Sequence, residues 1–114
     1  MEYVLNDNLS KEELINLGFT NHNKPFLYYY KTLYIKDFFD IVSLSITINL
    51  DTSEFNIEVL DEVRLQPYLP FYNERELDSH IHTKDVLNTI NENFDKEMNI
   101  LIEKGVFKNK NKVK

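Results

Sequence analysis

Ile41-Val42-Ser43-Leu44-Ser45-Ile46-Thr47-Ile48-Asn49-Leu50 is the stretch whose reading decides the fold. Val42, Leu44, Ile46, Ile48 and Leu50 alternate with Ser43, Ser45, Thr47 and Asn49. A side-chain period of two belongs to an extended chain, so the apolar set shares one face and the polar set the other. This predicts a half-buried antiparallel strand with a wet back face.

The neighbours on both sides extend a sheet. Downstream, Asp51-Thr52-Ser53-Glu54 reads as a hairpin loop, and Phe55, Ile57 and Val59 alternate with Asn56 and Glu58 in a returning strand. Upstream, Phe26 to Ile35 is rich in Tyr and strand-favouring residues. Its two faces are both apolar, which predicts a strand that is central or covered on both sides. Lys36 to Asp40 turns the chain, although Phe38 and Phe39 are unusual residues for an exposed tip. Three consecutive strands are about the minimum for a stable meander with a covered face.

Two helices flank this meander. Ser10 and Glu13 have capping-box spacing, Gly18 stands at a left-handed stop, and Phe19 is placed to fold back on Leu14, so Lys11 to Leu17 reads as helix. Near the other end, Thr83 is a good N-cap with Asp85 in the first turn. Val86, Ile90, Phe94, Met98 and Leu101 then recur at spacings of four and three, with Leu87, Ile102 and Val106 widening the stripe up to a stop at Gly105. A helix from Thr83 to Lys104 would be roughly 33 Å long. Tyr3 to Leu5 can form a short first strand. Asp61 to Asp78 is irregular: Pro67 and Pro70 exclude a helix and disfavour a central strand, while a short edge strand near Leu69 to Tyr72 is an option.

The fold class that follows is α+β, a three- to four-stranded antiparallel meander with the long C-terminal helix packed on one face and a short N-terminal helix. Val42, Leu44, Ile46, Ile48, Phe55 and Ile57 are expected against Val86, Ile90, Phe94 and Met98. Residues 1–107 are expected to form one domain and residues 108–114, with Lys108, Lys110, Lys112 and Lys114, a basic tail.

Composition narrows the function classes. The 114 residues carry no Cys, so disulfides, thiolate metal sites and a Cys nucleophile are excluded. Net charge is −6, and −10 without the four lysines of the tail, so the body repels nucleic acid on average. There is neither a secretory pattern at the start nor a window of about 20 apolar residues, which leads to the expectation of a cytoplasmic chain away from membranes. Ala is absent while Asn, Lys and Ile abound, a bias expected of an AT-rich genome.

Few residues suggest chemistry. Asp78, His80 and His82 share a face of an extended segment, and two imidazoles with a carboxylate suit Zn²⁺; Asp85 would be within reach. His-x-His before a helix is more often a polar loop, so no cofactor is expected. The acidic pairs Glu12-Glu13, Asp61-Glu62 and Glu74/Glu76/Asp78 lie in stretches that read as solvated, unlike a catalytic carboxyl in a dry cleft. Only Gly18 and Gly105 occur, both used at helix ends, so a Gly-rich phosphate loop is excluded. Tyr28-Tyr29-Tyr30 has too few basic neighbours for a base-stacking platform. The clearest anomaly is apolar bulk in connecting segments: Phe38, Phe39, Tyr68, Leu69, Phe71 and Tyr72. Such residues either close the open edges of the core or remain outside as a protein contact.

The Ser10-Lys11-Glu12-Glu13-Leu14 helix ending Leu17-Gly18-Phe19, the strand Tyr28-Tyr29-Tyr30-Lys31-Thr32-Leu33-Tyr34, the hairpin Leu44 to Glu58, Leu69-Pro70-Phe71-Tyr72 and the closing Lys104-Gly105-Val106 together give a style. In this the chain resembles small uncharacterised proteins of phages and prophages in low-GC Gram-positive bacteria. The resemblance implies a bacterial host cytoplasm and a non-catalytic accessory or regulatory role; it brings no functional residues with it. The expected function is protein binding, to itself as a homodimer or to another chain, with Phe38, Phe39, Tyr68, Phe71 and Tyr72 as contact candidates. The alternatives are nucleic-acid association through the basic tail and a small metal enzyme at His80 and His82.

Overall fold

A computed structural model describes residues 3–21, 24–78 and 82–109. In chain order the elements are β1 (Tyr3–Leu5), α1 (Lys11–Asn16), β2 (Phe26–Lys36), β3 (Phe39–Asn49), β4 (Phe55–Asp61), β5 (Gln66–Pro67), α2 (Leu69–Tyr72), a single 3₁₀ turn (Glu74–Glu76), α3 (Lys84–Glu103) and β6 (Phe107–Asn109). The fold is α+β, with a four-stranded antiparallel sheet in the order β2-β3-β4-β5, a long C-terminal helix and a short N-terminal one. A second, two-stranded antiparallel sheet pairs β1 with β6, Val4 opposite Lys108 and Leu5 opposite Phe107. The boundary expected between 107 and 108 therefore falls inside a strand; Lys110, Lys112 and Lys114 lie outside the described residues.

Tertiary contacts gather the chain into two compact units. The first takes the described residues of Met1–Tyr29, Ile46–Asn56 and Lys96–Lys114. In it α1 begins as its sequence demands: Ser10 Oγ accepts from Glu13 N, and Glu13 Oε1 accepts from Ser10 N. It ends at Gly18, φ +111, with Phe19 N donating to Leu14 O. A Cβ at Gly18 would also stand 3.3 Å from Tyr29 Cε1, close enough that the ring would have to give by a few tenths of an ångström. The end of α3 repeats the device: Gly105 has φ +81 and Val106 N donates to Leu101 O. Leu14, Phe19, Leu27, Ile46, Ile48, Met98, Leu101 and Phe107 are buried in this unit. Phe19 packs on Tyr29, and Phe55 on Phe107. Tyr29 OH reaches Glu97 Oε1 on α3 at 3.2 Å. Its hydroxyl pKa is pushed up to about 12, first by burial and then by the Glu97 carboxylate.

The second unit takes Tyr30–Ser45 and the described residues of Ile57–Asp95. Leu33, Val42, Leu44, Val59, Tyr68, Pro70, Leu87, Ile90 and Phe94 are its buried apolar residues among those described. Helix α3 starts where Thr83 Oγ1 accepts from Val86 N, and Asn93 Nδ2 bonds Leu33 O of β2 at 2.8 Å. Leu87 is buried where Val86 was expected to lead the stripe; Val86 is half-buried.

Several expectations are corrected. Strand β2 is at the sheet's edge, with Leu27, Tyr29 and Leu33 buried while Tyr30 and Ile35 are exposed. The back face of β3 is not simply wet: Ser43 is fully buried, and Ser45, Thr47 and Asn49 are half-buried. Pro67 is in the edge strand, which lies at Gln66–Pro67 and not at 69–72. Pro70 does not prevent a helix, because it stands in the first turn of α2, where backbone N–H groups have no intrahelical acceptor to lose.

Candidate functional site

The second unit's sheet has one end built from two turns, each with non-glycine residues on left-handed backbone. The β2–β3 connection has only two residues, Asp37 (φ 52) and Phe38 (φ 69). Positive φ at both positions is the signature of the type I′ turn, whose twist matches that of the flanking strands. The usual occupants are Asn-Gly, since a residue with a Cβ is unfavourable in this region by about 1 kcal/mol or more. Here the second position carries a phenylalanine with its whole surface in solvent, 102% exposed, and Phe39 beside it is 71% exposed.

The β4–β5 turn, Glu62 to Leu65, lies at the same end, because Glu62 N donates to Ile41 O near the start of β3. Its organiser is Asp61. This carboxylate is buried, and its Oδ1 accepts from Val63 N and from Arg64 N, both at 2.9 Å, while Leu65 N donates to Asp61 O. Asp61 was expected on a wet surface. The structure makes it instead a fixed internal cap for the turn. Leu65 is held at φ 55 and is 85% exposed, and Val63 is 70% exposed. Ile35, at the end of β2, adds further exposed apolar surface. Lys36, Asp37, Asp40 and Arg64 are exposed charged residues among these side chains. Close by, Tyr30 OH donates to Ser43 Oγ at 2.8 Å. Burial raises the Tyr30 hydroxyl pKa, the Ser43 contact lowers it, and Glu62 and Asp40 raise it.

The other contact candidates separate. Tyr68 is fully buried and is no surface residue: its ring meets His82 edge-on and its hydroxyl is 3.1 Å from His82 Nδ1. Burial, with Asp61, Asp78 and Tyr34 adding, pushes that hydroxyl up to about 12. Phe71 is half-buried between the rings of Phe94 and Tyr72. Tyr72 is half-exposed, yet its hydroxyl accepts from Val59 N, which ties it to the sheet. Both Phe71 and Tyr72 thus help close the core edge. Of the six anomalous residues, Phe38 and Phe39 keep the outward role most fully.

The metal-ligand candidates do not assemble among the described residues. Asp78 Oδ1 accepts from His82 N, and His82 presents Nδ1 to Tyr68. His80 lies outside the described residues, and no group of three His, Cys, Asp or Glu residues with metal-binding placement occurs among those described. Asp85 is exposed on the first turn of α3. The three tyrosines do not form one platform: Tyr29 is buried, whereas Tyr30 is half-exposed and bonded to Ser43. In the first unit a cleft of about 490 Å³ is lined by Lys11, Asn21, Lys24, Pro25, Leu50 and Asp51. No helix among the described residues is long and apolar enough to cross a membrane.

The fold defines a small α+β chain with an antiparallel meander and a long final helix. It is similar in structure to a DUF1831 family protein from Lactobacillus plantarum, known from a crystal structure: the TM-score is 0.71 at 19% sequence identity, over 93% of this chain and 84% of that one. At that identity the likeness is one of fold alone. No family model matches the chain, and no curated protein matches it by sequence.

Proposed function

We propose that this chain is a non-catalytic accessory or regulatory protein that works by binding a protein through the sheet end carrying Phe38, Phe39, Val63 and Leu65. One observation carries the reading: two large apolar side chains, Phe38 and Leu65, are both almost wholly exposed and both held on left-handed backbone. Each is unfavourable on two separate counts, solvent exposure and conformation, with nothing recovered inside the unit. Asp61 and the Glu62–Ile41 bond anchor the Leu65 turn, and Phe38 stands in a two-residue connection between paired strands, so the surface is ready-made and little ordering opposes binding. The accessory role in a bacterial host, as the phage-protein resemblance implies, is part of the same proposal and rests on the sequence features alone.

Affinity capture with the wild-type chain and with Phe38→Asp, read by mass spectrometry and beside light scattering for self-association, tests it. A bound chain, whether another protein or a second copy, should be retained by the wild type and lost from the variant. Identical captures from both, with unchanged association, would remove this surface from the function.

A further inference from the structure

We infer that the chain bound at this end is a second copy of the same protein, docked about a two-fold axis; the inference rests on the binding reading above and names its partner. Two features carry it. The first is area. From their exposures, Ile35, Phe38, Phe39, Val63 and Leu65 together offer roughly 700 Å² of largely apolar surface. A stable interface of ordinary size takes about 800 Å² from each partner, and aromatic anchors at its centre carry most of the energy. These five residues nearly fill one side of such a contact before any rim residue is counted.

The second is charge. The chain carries −6, so two copies repel one another over most of their surface. Around the exposed end the signs interleave: Lys36 and Arg64 stand among Asp37, Asp40 and Glu62, close to balance. A two-fold contact brings the same patch against itself, so a patch of one sign would be repelled and a mixed one can pair. Lys36 and Arg64 of one copy have acidic groups to meet on the other. An anionic membrane or nucleic acid would meet three carboxylates here against two cations, which disfavours both.

The experiment is sedimentation velocity and light scattering of the full chain from about 1 to about 200 micromolar, a range that brackets contacts of modest to good quality. The wild type should rise with concentration from one chain, 13.7 kDa, toward twice that mass. Phe38→Asp and Leu65→Asp should each weaken association at least about tenfold. Phe38→Gly, which suits the turn better and keeps the fold intact, should weaken it too. Ile15→Asp, an exposed apolar position in the first unit, should leave it unchanged. A dimer indifferent to Phe38 and Leu65 overturns the inference. So does a strict monomer whose Phe38-dependent capture of a different protein persists, and that result leaves the binding reading standing. A strict monomer with no Phe38-dependent capture overturns both.

Discussion

Replacing Phe38 by glycine should make the protein more stable while making it bind less. At φ 69 the backbone is in the left-handed region, where an L-residue is about 1–2 kcal/mol worse than glycine. Glycine loses roughly 0.5–1 kcal/mol of this through the greater freedom of its unfolded chain. The Phe38 ring is fully exposed, so removing it forfeits no buried apolar area. The balance is a gain of about 0.5–1 kcal/mol, or about 2–6 °C in Tm for a domain of this size. Urea unfolding at a concentration low enough to keep the chain monomeric measures it, because a dimer would add its own stabilisation. The midpoint should rise with an unchanged slope. A loss of stability beyond about 1 kcal/mol would show that the ring has contacts within its own unit, and the argument from exposure would collapse.

Asp61→Ala removes the acceptor for Val63 N and Arg64 N and should lower stability by about 2 kcal/mol, with Asp61→Asn recovering part of it; faster hydrogen exchange at those two amides is the local readout, and unchanged exchange would count against the turn's being held there. Tyr29 and Tyr68 hold their phenol protons up to about pH 12, whereas the unfolded chain releases its own near 10. The folded state thus binds more protons in this window, so stability is complete below pH 10 and is lost as pH climbs toward 12. The loss is about 2 kcal/mol per tyrosine, taken somewhat below the full linkage value because both hydroxyls reach polar groups. Comparing urea midpoints at pH 9 and pH 11.5 for wild type and Tyr68→Phe separates this from lysine titration: the variant should lose less, and an equal loss would refute the assignment.

Elements governed by local rules were legible in the sequence. The alternation of β3, the Ser10–Glu13 box, the Gly18 and Gly105 stops and the stripe of α3 are each written within one turn or one strand. What escaped depends on partners far along the chain. Tyr68 and Phe71 look alike as aromatic residues in a Pro-containing segment, yet Tyr68 is buried against His82, 14 positions away, and Phe71 reaches Phe94. Asp61 looks like any acidic surface residue until its carboxylate is seen to cap the turn that follows; an Asp standing directly ahead of a four-residue connection was the available signal. The apolar tip was half legible. Phe38 and Phe39 stood out in a turn, but Val63 and Leu65 read as ordinary members of an irregular stretch, because only the Glu62–Ile41 bond brings the two turns to the same end.

The pairing of β1 with β6 places residues 3–5 against residues 107–109, so β1 finds its partner only after the whole intervening chain has been made. Closing so long a loop carries an entropic penalty that nearby contacts do not share. A nascent chain halted before Phe107 has emerged therefore lacks a strand and a core ring of the first unit, while all segments of the second are already available. Arrested chains of graded length should show protease protection arising first in Tyr30–Asp95 and reaching β1 only once Phe107–Asn109 has emerged.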